Sequence, residues 1–182
     1  MKKSDMIKKF FQAAVIPAIM LAVFSAASGT AQAAEPGNAY PPASQVQAQL
    51  EQAGGTVFPI GQPNTAYEKF FTGKTFLAPL AHDGINVSNV TFTQGAHTYW
   101  HIHRGSCQIL VPESGRGYYQ IWGEEPQLLT PGVVATMPEG VKHWHGAGPN
   151  SVMQHLSIMQ ARPDVTTEWL EPVDEAVFAA LQ

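Results

Sequence analysis

Cysteine is nearly absent from this chain of 182 residues, which has a single one at position 107. An internal disulfide needs two cysteines, so the fold must be stabilised by its hydrophobic core. Long apolar runs are lacking as well: the most apolar stretch, residues 10–24, includes a glutamine and a proline. A membrane-spanning helix needs about 20 apolar residues, so this stretch is too short to serve as one.

Positive charge is scarce after residue 34. Over residues 35–182, six basic side chains stand against thirteen acidic ones, a formal net charge of −7 with histidine neutral. No cluster of lysine and arginine is available to neutralise a phosphate backbone. We therefore expect no nucleic-acid partner.

The first 34 residues have the pattern of a secretory signal peptide. Four lysines, Lys2, Lys3, Lys8 and Lys9, precede the apolar stretch, and Ala31-Gln32-Ala33 follows it. A charged start, a short apolar centre and an A-x-A end are typical of cleaved leaders, the alternative being an uncleaved anchor. We expect a mature chain that begins at Ala34 or Glu35, is periplasmic or secreted, and has no membrane contact after cleavage.

The remaining residues predict one all-β domain with a short helix at each end. Residues 35–66 predict a flexible lead and a helix from Ser44 to Ala53 capped by Ser44, and residues 173–182 belong to a final helix starting near Pro172. Between them, over residues 67–172, Gly/Pro turns separate short strands, which is typical of an antiparallel sandwich or barrel. The predicted strands are Lys74–Leu77, Asn86–Thr93, Thr98–His103, Cys107–Val111, Gly117–Trp122, Gly132–Met137, Lys142–Gly146 and Val152–Met159.

Two His-x-His pairs indicate a metal site. His101 and His103 form the first pair, and His143 and His145 form the second after a Pro-x-Gly turn. Successive strand residues alternate between faces, so both imidazoles of a pair leave the same face and can share an ion. By contrast, we interpret His82 and His97 as surface or structural residues.

A further ligand comes from the next predicted strand, where Cys107 and Gln108 compete. These neighbours point to opposite faces, so only one of them can face the ion. If Gln108 points inward with Leu110, Cys107 points away; thiolate, however, is the stronger ligand for many metals. The residues alone leave this choice open.

The complete pattern resembles the two sequence motifs of the cupin superfamily. The first runs from Gly95 through the His101 pair and Gln108 to Gly115, and the second runs from Gly132 through Pro138 and Gly140 to His143. Within that superfamily, residues 67–172 are similar to small single-domain bacterial cupins associated with carboxymuconolactone decarboxylases and to manganese-dependent cupin hydroxynitrile lyases. The resemblance implies a double-stranded β-helix, or jelly-roll barrel.

The resemblance also implies site residues. The metal ligands would be His101, His103, Gln108 and His143, holding one divalent ion, with manganese favoured and iron or zinc possible. His155, twelve residues after His143, matches a position implicated in catalysis, and His145 is a second candidate for acid–base work. The implied substrate-lining positions are Ser88, Val90 and Met159.

Three functions are compatible with such a site. The first is a metal-dependent lyase, or related acid–base enzyme, acting on a small carbonyl or hydroxy compound. The second is an iron-dependent dioxygenase, and the third is a non-catalytic small-molecule-binding protein. Fold alone does not decide among them, although His155 favours the first over the third. Because cupins commonly dimerise, we also expect a homodimer.

Overall fold

The fold consists mainly of short strands. The computed structural model describes residues 15–17 and 39–182, so the signal peptide predicted over residues 1–34 lies outside the described residues except for one three-residue strand. The strands are β1 Val15–Pro17, β2 Gln62–Pro63, β3 Phe71–Thr72, β4 Thr75–Ala81, β5 Ile85–Phe92, β6 His97–Thr98, β7 His101–Arg104, β8 Gln108–Gly115, β9 Gly117–Ile121, β10 Gln127–Leu129, β11 Ala135–Met137, β12 His143–Ala147, β13 Met153–Gln160 and β14 Thr166–Trp169. The helices are α1 Ala43–Gln52 and α2 Glu175–Ala179, with one 3-10 turn at Glu68–Phe70.

The strands form two antiparallel sheets. In the first sheet the order is β1-β14-β7-β12-β6-β3, with β9 also paired to β12 and β10 paired to β9. In the second sheet the order is β11-β8-β13-β5-β4-β2. Strands that are distant in sequence therefore become neighbours: β7 lies between β12 and β14, and β13 lies between β8 and β5. The prediction of an all-β domain is confirmed.

The main core lies between the sheets. Along β8 every second side chain is buried, as expected for a strand with one face turned inward. The inner cluster joins Phe92 and Met153 of the second sheet to Ala147 of the first. Its other buried members are Val90, Ala96, Leu110, Leu129, Ala135 and Met137.

Each helix covers the outer face of a sheet. Val46 and Leu50 of α1 pack with Phe76, whose neighbour Leu77 contacts the inner core. Phe178 of α2 packs with Trp144, which lies between the two inward-facing histidines of β12. Within the described residues, neither helix has the length and apolar character needed to cross a bilayer.

The helix ends differ from the predicted ones. The predicted cap by Ser44 is wrong, because α1 begins at Ala43 after Pro42, whose carbonyl accepts from the amides of Gln45 and Val46. Ser44 therefore lies inside the first turn. The C-terminal helix is shorter than predicted because Asp174 caps it: this carboxylate accepts hydrogen bonds from the backbone amides two and three residues later.

Candidate metal centre

Strand pairing brings the histidines of both motifs together inside the barrel. In the ladder between β7 and β12, His143 lies directly opposite His101. Opposed residues of an antiparallel pair point to the same face, so both imidazoles enter the interior. Their ring centroids are 4.2 Å apart, and the His103 ring lies 5.0 Å from His101 and 5.2 Å from His143. All three side chains are buried.

The two opposed histidines are fixed by backbone carbonyls. Nδ1 of His101 lies 2.9 Å from the Tyr99 carbonyl, and Nδ1 of His143 lies 2.9 Å from the Val141 carbonyl. A carbonyl can only accept, so each Nδ1 must carry the hydrogen and each Nε2 keeps its lone pair. A neutral imidazole anchored by its other nitrogen is the usual arrangement of a metal ligand.

His103 is anchored by a hydroxyl instead. Its Nδ1 lies 3.0 Å from Oγ1 of Thr167 on β14. Its Nε2 is buried and makes no hydrogen bond of ordinary geometry within the described residues, although the Gln108 side chain offsets part of the pKa lowering of this ring. A buried polar atom without a partner is costly, and a bound cation would satisfy this one.

Gln108 completes the group from the opposite sheet. Its Nε2 donates to Oγ of Ser157 at 2.8 Å, and its Oε1 lies 3.2 Å from Nε2 of His143. Since Nδ1 of His143 carries the hydrogen, the contact between Oε1 and Nε2 joins two acceptors. Two lone pairs facing each other repel, whereas a cation beside both would be attracted to each. Cys107 is half-buried and outside β8, so Gln108 is the residue that reaches the histidines.

Burial keeps these imidazoles neutral. Desolvation, followed by the neighbouring His143, lowers the pKa of His103 to about 3, and desolvation lowers the pKa of His143 to about 4. For His101, desolvation and then the charges of His143 and His103 lower the pKa well below its ordinary value. Neutral imidazoles have free lone pairs at neutral pH, which metal binding requires. The donor set therefore fits a divalent ion.

The remaining two interior histidines form a pair of their own. Nε2 of His155 lies 3.2 Å from Nδ1 of His145, and both rings contact Phe92. Desolvation lowers the pKa of His155 to about 4, and desolvation together with His155 lowers the pKa of His145 well below its ordinary value. Nδ1 of His155 makes no hydrogen bond of ordinary geometry within the described residues, although the Leu156 backbone offsets part of the pKa lowering. One proton can be shared along this pair.

His145 also offers an alternative ligand set. One ring nitrogen from each of His101, His143 and His145 lies within 4.8 Å of the other two. Two observations favour His103 as the third histidine: its Nε2 makes no hydrogen bond of ordinary geometry in the described part of the chain, whereas Nδ1 of His145 is engaged by His155. The geometry supports a three-histidine site in either case.

The predicted substrate-lining residues lie beside these groups. Val90 pairs with His155, Ser88 pairs with Ser157, and Met159 lies two residues further along β13. Val90 is buried, while Ser88 and Met159 are half-buried. These three residues therefore lie along one face of the sheet, leading outward from the histidine pair.

The two remaining histidines lie outside the centre. His97 is buried and stacks on Phe178 of α2, which makes it a structural residue rather than a surface one, and His82 is exposed in the loop after β4. Sequence reasoning did not identify Thr167 and Ser157 as anchors of ligands. Ser157 lies two residues after His155 on β13, so the period of two places it on the inner face, whereas the strand that holds Thr167 was not predicted.

Comparison with known proteins identifies the family. No family model matches the chain. A solved cupin-like protein from Thermotoga maritima superposes with a TM-score of 0.64 at 32% sequence identity, covering 70% of this chain and 97% of that one. The chain belongs to the cupin family.

A curated member of the family gives a more specific similarity. The (R)-mandelonitrile lyase of Granulicella tundricola is 37% identical over 113 residues, which is 60% of this chain and 86% of the lyase. Together these relatives confirm the resemblance to small cupins that include hydroxynitrile lyases, and the cupin fold that it implied.

Proposed function

We propose that this protein is an exported, metal-dependent lyase that cleaves a small cyanohydrin into an aldehyde or ketone and hydrogen cyanide. The observation that carries the proposal is the cluster of three imidazoles, His101, His103 and His143, each held through its Nδ1 in the interior. The His145–His155 pair lies in the same interior. The similarity to a mandelonitrile lyase supports the choice of substrate class, because mandelonitrile is the cyanohydrin of benzaldehyde.

The proposed ligands are His101, His103, His143 and Gln108. None of them carries a charge, so a bound divalent ion would keep its full charge of +2. Such an ion supplies positive charge that stabilises a developing oxyanion and lowers the pKa of a nearby hydroxyl. Manganese is our choice because the sequence resembles manganese-dependent members of the family, while imidazole ligands also suit iron and zinc.

The histidine pair would handle the proton. The His145–His155 pair accepts the hydroxyl proton of the cyanohydrin. The electrons of the O–H bond then form the C=O bond. The C–CN bond breaks, and its electron pair leaves with the cyanide. The cyanide then takes the proton from the histidine pair, which restores the starting state. Lowered pKa values keep both rings neutral at pH 7, so each has a lone pair for the proton. The same lowering makes the rings weak bases, which a substrate hydroxyl of lowered pKa would offset.

The apolar surroundings would hold the organic part of the substrate. Val90 lies opposite His155, and Met159 lies four residues after His155 on the same strand. Phe92 contacts both rings of the histidine pair. We propose Ser88, Val90 and Met159 as substrate contacts. Burial of these histidines away from water also strengthens the electrostatic interactions of a charged transition state.

Location and assembly form a separate part of the proposal. The Lys-rich start and the Ala31-Gln32-Ala33 sequence support export to the periplasm or beyond, and we propose a homodimer as the assembled form. Intact-mass measurement on periplasmic material should give a chain starting at Ala34 or Glu35. A full-length, membrane-bound product would contradict this.

The reaction can be tested directly. Protein purified from its native compartment is analysed for metal, then assayed for aldehyde release from mandelonitrile and, separately, for dioxygen uptake with phenolic and diketone substrates. We expect one divalent ion per chain and aldehyde release without dioxygen uptake. Dioxygen uptake without cyanohydrin cleavage would establish the dioxygenase alternative, and tight binding without turnover would establish the binding protein.

A further inference from the structure

The four proposed ligands are held in two different ways. His101 and His143 are anchored by backbone carbonyls, which no side-chain substitution removes. His103 and Gln108 are anchored by the hydroxyls of Thr167 and Ser157. Only the second pair therefore depends on a replaceable side chain.

Gln108 differs from the histidines because its end group can present either of two opposite chemistries. A glutamine amide offers an acceptor oxygen at one position and a two-hydrogen donor at the other. Turned one way, it offers Oε1 to a cation; turned by half a revolution, it presents N–H hydrogens that repel a cation. A centre built on Gln108 consequently needs an acceptor for the amide hydrogens when Oε1 faces the cation.

We propose that Ser157 is this positioning residue: when Oε1 of Gln108 faces His143 and the ion, Oγ of Ser157 accepts the hydrogen bond from Nε2 and anchors the amide in place. The distances are 2.8 Å from Nε2 to Oγ and 3.2 Å from Oε1 to Nε2 of His143. Without the hydroxyl, Nε2 has no acceptor when Oε1 faces the ion, and the amide loses its anchor on β13. A bound ion would then have to order a mobile amide, which weakens metal binding.

The location of Ser157 makes this role specific. It lies two residues after His155 on β13, directly opposite Ser88 of β5, with its side chain in the interior. Gln108 reaches it from β8, the neighbour of β13 on the other side. Ser157 is only half-buried, so its hydroxyl is not required to fill the core, and an effect of removing it would reflect the amide contact.

This inference rests on the metal-binding part of the proposed function and not on the reaction. The test measures Mn²⁺ binding to the metal-stripped full chain by calorimetry. Ser157→Thr and Ser157→Val are a matched pair, both β-branched and suited to a strand, that differ in the hydroxyl. We expect Ser157→Val to bind Mn²⁺ about 10- to 100-fold more weakly, the usual size of a lost contact to a ligand, and Ser157→Thr to bind as the wild type does. Ser151→Ala, in the loop before β13, serves as the control.

A double-substitution cycle isolates the mechanism. If Ser157 acts through the amide, Ser157→Val should have no further effect on Mn²⁺ affinity in a Gln108→Ala background. An equal loss in both backgrounds, or equal affinities for the Thr and Val variants, would overturn the proposal, as would a wild type that binds no Mn²⁺. Cyanohydrin turnover is scored separately, so an inactive protein that shows the affinity pattern refutes the reaction and leaves the role of Ser157 standing.

Discussion

Gln108 determines the charge of the proposed centre. A carboxylate at this position would cancel half of the charge of a divalent ion, whereas the amide leaves it intact. The structure adds that the amide oxygen faces a histidine lone pair at 3.2 Å. The same side chain thus determines the net charge of the site and places a second acceptor beside His143, a pair that a cation would stabilise.

The first residue-level prediction concerns the ligands. His101→Ala or His143→Ala should remove most of the bound metal, because each substitution deletes an inward Nε2. Cys107→Ser should retain it, since Cys107 is half-buried outside the centre. Elemental analysis of the purified variants provides the measurement. Loss of metal from Cys107→Ser, with retention in Gln108→Ala, would show that the inward face of β8 has been assigned incorrectly.

The second residue-level prediction concerns the proton. His155→Ala should keep the fold and the metal but slow cyanohydrin cleavage by about 10²- to 10⁴-fold, the usual contribution of a general base. Circular dichroism, metal content and initial rates together test this. His82→Ala, in an exposed loop, is the matched control. Full activity in His155→Ala would assign the proton transfer elsewhere.

Among the elements, β12 is closely packed against β6 at Gly146. A Cβ built on Gly146 would lie 2.4 Å from Cα of His97 and 2.6 Å from the Ala96 carbonyl oxygen. Gly146→Ala should therefore separate β6 from β12 and cost about 1–3 kcal/mol of the free energy of unfolding. A Cβ at Gly148 would lie 3.3 Å from the edge of the Tyr118 ring and 3.6 Å from the Arg116 carbonyl oxygen, so Gly148→Ala should cost less. Urea denaturation distinguishes them; equal losses would show that the contact with β6 is unimportant.

Strands with regular alternation were predictable, and those without it were not. The predicted Lys142–Gly146 and Val152–Met159 correspond closely to β12 and β13. In contrast, β14 was missed because Thr166–Trp169 contains no apolar run and is a strand through its pairing with β7 and β1. Tertiary pairing, rather than local preference, creates such strands.

At the scale of the whole molecule, the buried histidines make stability depend on pH. In the metal-free native state the pKa is about 3 for His103 and about 4 for His143 and His155, whereas the ordinary value is 6.5. Between these values the unfolded chain binds protons that the native state does not. The free energy of unfolding therefore has its highest value, with respect to these groups, above about pH 6.5. It falls as the pH decreases toward 4, by up to about 1.4 kcal/mol per pH unit for each histidine.

Chemical denaturation of the metal-free protein from pH 7.5 to 4 tests this dependence. His103→Gln should reduce the slope by about one proton's contribution, because it removes one of the titrating groups. The exposed His82→Gln variant should keep the slope of the wild type. A free energy of unfolding that rises as the pH decreases would mean that the interior histidines are charged in the native state.

The residues that the sequence proposed as ligands lie close together in the structure, but the side chains that support them were not predicted. Period-two spacing was enough to place each His-x-His pair on one face of a strand. The choice between Gln108 and Cys107 required the inward face of β8, and the competition between His103 and His145 requires interatomic distances. Ser157 and Thr167 reach their ligands from strands 49 and 64 residues away along the chain, a distance that no local pattern spans.

The pairing of His143 opposite His101 has a consequence for folding. If β12 slipped by one residue against β7, every side chain of β12 would change face: His143 and His145 would turn outward, and Trp144 would turn inward. An ion that needs imidazoles from both strands can therefore bind only to chains that have paired correctly. A ligand stabilises the state that it binds, so metal present during folding would stabilise only the correctly paired molecules. Misaligned molecules would gain no such stabilisation and would unfold and refold more readily.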